Sequence, residues 1–139
     1  MLTPPDDVCL NKAAIMERAI RRLREEYASD PEFRSFTHID ALTLNIERAC
    51  QAAIDLAMHL VARERLGMPQ NSADAFRMLA KAGLLKSPTV QAMVAMTGFR
   101  NIAIHEYQAM DMGVLRHIAQ EGHKSLIVLC AELGLVIRP

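Results

Sequence analysis

The sequence predicts an all-α fold, an up-and-down bundle of about five helices. Three observations point there. Hydrophobic residues make up 51% of the 139, yet aromatics are only 4% and Trp is absent. The apolar mass is therefore Ala, Leu, Ile and nine Met, helix formers that pack as ridges into grooves. β-Branched and aromatic residues show no sustained alternation of the kind a strand needs, and the connections between apolar-periodic segments are short, as in a bundle.

The elements follow in order. "MLTPPDD", residues 1–7, reads as a short disordered or capping N-terminal arm. Asp6 or Asp7 caps a first helix to about Ala28, in which Cys9, Ala13, Met16, Ile20, Leu23 and Tyr27 recur at three- and four-residue spacing. Its opposite side offers Arg21–Glu25 and Arg22–Glu26 pairs four apart, a solvated face. A second, long helix runs from about Thr37 to Leu66 and stops at Gly67, with Pro69 just beyond. "NSADAFRMLAKAG" is a short helix capped by Asn71 or Ser72 and closed by Gly83. Ser87 then caps a fourth helix with Pro88 at its first position, running to about Met110. A fifth extends from Gly113 or Val114 to Leu133, before Gly134. With no internal repeat or low-complexity tract, residues 1–139 are most economically one domain, long enough to bury about 65–70% of the unfolded-chain surface.

Composition narrows the function. Sixteen basic and sixteen acidic residues give a formal net charge of zero, which argues against a broad nucleic-acid coat but leaves room for a local basic cleft. Arg greatly outnumbers Lys, which favours forked contacts to carboxylate or phosphate. Cys9, Cys50 and Cys130 are isolated, with no CxxC or Cys/His ligand spacing; free buried thiols in a reducing cytosol are expected, with no disulfide and no zinc. Neither a signal peptide nor a membrane-spanning run is visible.

Two polar constellations interrupt this apolar chain. At about 100° per residue, Asn45, Arg48, Gln51, Asp55 and His59 of the second helix fall within an arc of about 120°. Residues of these types form networks more readily than a Lys/Glu stripe does. They read as a polar seam lining a cleft or a subunit interface, with a plain solvent stripe as the alternative. The second constellation is "GFRNIAIHEYQAM", Gly98 to Met110. On an ideal helix Asn101 and His105 are adjacent, Arg100 and Tyr107 are nearly eclipsed, and Arg100 and His105 stand about 140° apart. Bringing Arg100 and His105 together requires a bent side chain, a distorted helix end or a two-fold-related copy. The bland alternative pairs Arg100 with a nearby carboxylate and leaves His105 and Tyr107 as packing residues.

"GFRNIAIHEY" resembles the R-x4-H-x-Y motif of HEPN-domain proteins, specifically the HepT-like toxins paired with minimal nucleotidyltransferase antitoxins. Its elements here are Arg100, His105 and Tyr107, with Asn101 as the polar residue after the Arg. "NIERACQAAIDLAMHLVA" is similar to the second-helix signature of that family, and "GMPQNSADAFRMLAKAGLL" to its Gly-x-Pro turn and short helix. The resemblance spans about residues 8–135. It implies a homodimeric, metal-independent endoribonuclease of the cytoplasm with no cofactor and an active site in the dimer cleft. Arg100 and His105 would be catalytic, with Asn101, Asp55 and Arg48 in support. It further implies that a nucleotidyltransferase antitoxin silences the enzyme by transferring AMP to Tyr107. The residue chemistry suits RNA cleavage: His titrates near neutrality and can move protons either way, while Arg gives fixed donors to phosphate oxygens. Nothing in the spacing provides a carboxylate pair or His cluster for a metal. From a different class, the competing reading is a non-catalytic helical module that binds a nucleotide or a partner, which the neutral charge favours modestly.

Overall fold

The computed structural model describes residues 2–105 and 110–139, with His105 described in its backbone alone. The described residues form six α-helices: α1 (Asp7–Ser29), α2 (Phe36–Arg63), α3 (Ser72–Lys81), α4 (Ser87–His105), α5 (Met112–His117) and α6 (Lys124–Glu132). A π-helical turn, Ile118–Gly122, joins α5 to α6. No strand occurs among the described residues, and no helix among them is long and apolar enough to cross a membrane.

Asp6 caps α1, its side chain accepting from the Cys9 N–H at 3.0 Å. Residues before it do not hang free. Thr3 donates its backbone N–H to Glu64 at 3.0 Å, and Arg63 donates to the Thr3 and Pro4 carbonyls at 2.9 and 3.1 Å. The start of α1 thus lies against the end of α2. At the other end Glu26 meets His38 at 2.6 Å, so α1 and α2 run antiparallel. Between them Asp30 shapes the connection by accepting from the Arg34 and Ser35 N–H groups at 3.0 and 2.8 Å. These two bonds hold its carboxyl below the usual range.

The second helix stops three residues short of the expected Leu66. Leu66 N–H returns to the Val61 carbonyl at 2.9 Å and Arg65 N–H to Ala62 at 3.2 Å, a Schellman closure whose left-handed residue is Arg65, φ 55°, rather than Gly67. The same closure ends α3 at Gly83 (φ 81°) and α6 at Gly134 (φ 80°), the two glycines expected to stop their helices. Ser87 is not the cap of α4 but its first residue, since Val90 N–H already donates to the Lys86 carbonyl at 3.1 Å. The entry is held from outside by Glu132 of α6, which accepts from Lys86 N at 2.8 Å and Thr89 Oγ1 at 2.7 Å.

A single fifth helix does not form, and the reason is His123. Its backbone N–H and its Nδ1 both reach the Ile118 carbonyl, at 3.0 and 2.7 Å, displacing the i→i−4 ladder into a π turn. Arg24 Nε completes the ring by donating to Nε2 at 3.0 Å. His123 is buried and acts as an uncharged bridge between α1 and the turn, with burial lowering its pKa.

The core is continuous. Met16, Ile20 and Leu23 of α1, Leu42, Ile46, Leu56 and Leu60 of α2, Phe76 and Leu79 of α3, Met93 of α4, Leu115 of α5 and Leu126 of α6 are fully buried. Helix α4 packs against α2, α3 and α6, so its outer face and C-terminal end are what it offers to solvent or a partner. All three cysteines are free and buried.

Candidate active site

Arg100 sits in the last turns of α4, between inward-facing Phe99 and Ala103, both buried. It is half-buried. One Nη donates to Asn101 Oδ1 at 3.4 Å, while Nε is shielded from solvent with no hydrogen-bond partner among the described residues. Leaving a buried N–H unpaired costs about 1–3 kcal/mol, a cost that a structural arginine normally avoids through a carboxylate. Among the described residues no carboxylate forms an ion pair with it.

Among the described residues, the groups whose pKa feels its charge are Glu47 and Cys50 of α2. Burial raises the Glu47 carboxyl, opposed by Arg100. Burial pushes the Cys50 thiol up to about 12, again opposed by Arg100, so Cys50 is a protonated core side chain at neutral pH. Neither residue stands out in the sequence, where Glu47 is one charge among many and Cys50 a core filler. Their three-residue spacing puts them on one side of α2, turned away from the polar arc, which is the signal that could have found them.

Asn101 is exposed, and its amide oxygen points to Arg100. That joins two residues that ideal geometry assigns to different faces. His105 is the last described helical residue, and its side chain lies outside the described residues, as does all of Tyr107. Around the end of α4 and the start of α5, Ile102, Ile104, Met112 and Val114 are each between 41 and 44% exposed. These exposed aliphatic side chains flank the polar motif in the chain.

The second-helix seam exists but faces α1. Asn45 is buried and donates to the Ala41 carbonyl at 2.8 Å. Gln51 donates to Asp55 at 2.7 Å, and Asp55 pairs with Lys12 of α1 at 3.5 Å. His59 Nε2 lies 2.7 Å from Asp6, and Arg63 lies 3.4 Å from the same carboxylate. Asp55 is thus engaged with α1 and Gln51, and Arg48 opens into the α1–α2 groove, while the α2 residues in the field of Arg100 are Glu47 and Cys50.

Donor atoms of Asp6, Cys9 and His59 come within 4.8 Å of one another. A cation there would meet Arg63, whose Nη1 is 3.7 Å from Cys9 Sγ and 3.4 Å from Asp6. The Cys9 N–H first, then His59, hold the Asp6 carboxyl well below its ordinary range, and burial raises the Cys9 thiol. The cluster is a latch between the α1 cap and the end of α2.

Comparison with known proteins identifies the family of the chain. The family described as ribonuclease HepT-like matches residues 16–133. The mRNA nuclease HepT of Shewanella oneidensis is 37% identical over 116 residues, which is 83% of this chain and 87% of that protein. A solved structure of tri-AMPylated Shewanella oneidensis HEPN toxin in complex with MNT antitoxin superposes with a TM-score of 0.89 at 33% identity, covering 94% of this chain and 98% of that one. A toxin–antitoxin crystal structure with AMP-PNP gives 0.88 at 32% identity, covering 93% and 99%. The chain belongs to the ribonuclease HepT-like family.

Proposed function

We propose that this protein is the toxin of a toxin–antitoxin pair, a metal-independent endoribonuclease that works as a homodimer in the cytoplasm and is silenced when a nucleotidyltransferase antitoxin transfers AMP to Tyr107. The observation carrying this reading is Arg100: a half-buried cation whose Nε has no partner among the described residues, on the helix that carries the family motif. The exposed aliphatic residues Ile102, Ile104, Met112 and Val114 supply the kind of surface that a second copy would cover.

Two copies across a dyad would provide two His105 and two Arg100 in one cleft. A neutral imidazole takes the proton of the ribose 2′-OH as its oxygen bonds to phosphorus. The phosphorus–O5′ bond breaks, and the second imidazole, protonated, gives its proton to the departing 5′-oxygen. The products are a 2′,3′-cyclic phosphate and a 5′-hydroxyl. Arg100, steered by Asn101, offsets the charge that builds on the phosphorane oxygens. An AMP group on Tyr107 would place an anion within reach of Arg100, occupying the position the scissile phosphate needs. The Shewanella oneidensis relatives, a nuclease of mRNA and a tri-AMPylated toxin bound to MNT antitoxin, support both halves of this reading.

The test is cleavage of labelled RNA by AMP-free protein in the presence of EDTA, with Arg100→Ala and His105→Ala alongside. Cleavage by the wild type and its loss in both variants are expected. No cleavage at stoichiometric protein would instead identify a non-catalytic binding module. For the switch, co-expression with the nucleotidyltransferase should add AMP to the peptide containing Tyr107 and nowhere in a Tyr107→Phe variant.

A further inference from the structure

Between α1 and α2 lies a concavity of about 120 Å³ lined by Ile15, Arg18, Ala19, Arg22, Asn45 and Arg48. Three of its six lining residues are arginines, in a chain with no net charge. Arg18 and Arg22 stand one turn apart on α1, an unfavourable like-charge spacing, and Arg48 faces them from α2. Among the described residues none of the three makes a hydrogen bond or ion pair, and several carboxylates of α1 and α2 are engaged elsewhere. Glu26, the i+4 partner expected for Arg22, is taken by His38 at 2.6 Å. Glu17 pairs with Arg21 at 3.7 Å and accepts from Arg138 N at 2.7 Å. Asp55 is held by Gln51 and Lys12.

Three guanidinium groups around one small, partly apolar hollow form a receptor for a tetrahedral anion, since each fork matches a pair of phosphate oxygens. No aromatic residue lines the hollow, so it has no platform on which to stack a base. Its ligand is therefore the sugar–phosphate backbone, bound without reading sequence. Arg48 directly follows Glu47, one of the two residues of α2 that feel Arg100, with its own side chain turned into the α1–α2 groove. Resting on the nuclease reading above, we propose that Arg18, Arg22 and Arg48 form a phosphate-binding exosite that holds the RNA backbone on the α1–α2 face, around α2 from the Arg100 site.

The test uses the intact protein and a single-stranded 2′-O-methyl RNA oligonucleotide, which lacks the attacking hydroxyl. Binding of wild type and of the triple variant Arg18→Gln, Arg22→Gln, Arg48→Gln is followed by fluorescence anisotropy across a salt series, with circular dichroism confirming equal helicity. The variant should bind roughly tenfold or more weakly at low salt. The slope of log Kd against log salt should fall by about 0.7 for each backbone phosphate that the variant no longer neutralises. A second variant, Arg48→Gln alone, keeps the measurement decisive if the triple variant misfolds; it should show the same changes in smaller size. Unchanged affinity and slope overturn the proposal, as does selective loss of antitoxin binding, which would make the groove a protein-binding surface. Inorganic phosphate that displaces the oligonucleotide at equal concentration would also overturn it by assigning the groove to a free anion. Oligonucleotide binding that responds to these variants without any cleavage of ordinary RNA would refute the nuclease reading and leave the exosite standing. Cleavage with no response to the variants would do the reverse.

Discussion

Arg100→Met separates a catalytic arginine from a structural one, because the two roles predict opposite changes in stability. The substitution keeps most of the aliphatic stem and removes the guanidinium. Among the described residues, what the fold loses is one long hydrogen bond to exposed Asn101, 3.4 Å, which contributes a few tenths of a kcal/mol at most, below the usual 0.5–1.5 kcal/mol of a good bond. What it gains is relief of the shielded, unpartnered Nε, about 1–3 kcal/mol, partly offset by the attraction between Arg100 and the α2 face at Glu47. The net change lies between zero and about 2 kcal/mol of stabilisation. At about 3–5 °C per kcal/mol for a domain of this size, Tm should hold or rise by up to about 10 °C. Activity should move the other way. Removing one preorganised donor to a developing anion costs about 10²–10³ in rate, and a phosphate-stabilising arginine can cost more. Cleavage rate and thermal midpoint measured on the same preparations decide the matter. A variant that melts well below wild type and loses activity only in proportion to its unfolded fraction would refute the assignment.

Other predictions rest on the frame around the site. Glu132→Ala should destabilise the protein by about 1–3 kcal/mol, because Lys86 N and buried Thr89 lose their acceptor; denaturant unfolding checks this, and Glu132→Gln should recover about half of the loss. His123 makes stability pH-dependent. Burial depresses its pKa, so below about pH 6.5 the unfolded chain binds a proton that the folded chain refuses, and stability falls as pH drops through that window. The stability curve of His123→Leu should lack this fall between about pH 7 and 5; parallel curves for variant and wild type would exclude His123 as its source.

Much of the fold was legible in the sequence, for identifiable reasons. Apolar spacing in α1 and the Asp6 cap are local features, and the helix begins and ends where they indicate. Gly83 and Gly134 close their helices because only a left-handed residue completes those turns. Arg65 escaped notice since it takes the same conformation without being glycine. The break between α5 and α6 was hidden because it depends on Arg24, distant in sequence, holding the His123 ring in place. Competing partners dissolved the expected Arg21–Glu25 and Arg22–Glu26 pairs: Arg21 turned back one turn to Glu17, and Glu26 went across to His38 of α2.

The candidate residues were legible as polar chemistry, and their neighbours less so. Arg100 and Asn101 stand out as polar residues at the end of an apolar helix, and the structure brings their side chains together. The arc on α2 is real, but which helix it faces depends on how α2 is rotated in the bundle, and no periodicity within α2 encodes that. Asp55 consequently lies against Lys12, while Glu47 and Cys50 take the side nearest Arg100.

The central claim is tested most directly by the ends that the protein leaves on RNA. AMP-free wild-type protein, incubated with end-labelled RNA in EDTA, should produce fragments ending in 2′,3′-cyclic phosphate and 5′-hydroxyl. Arg100→Ala and His105→Ala, equally folded, should produce none. Intact RNA at stoichiometric wild-type protein, or undiminished cleavage by both variants, would contradict the account.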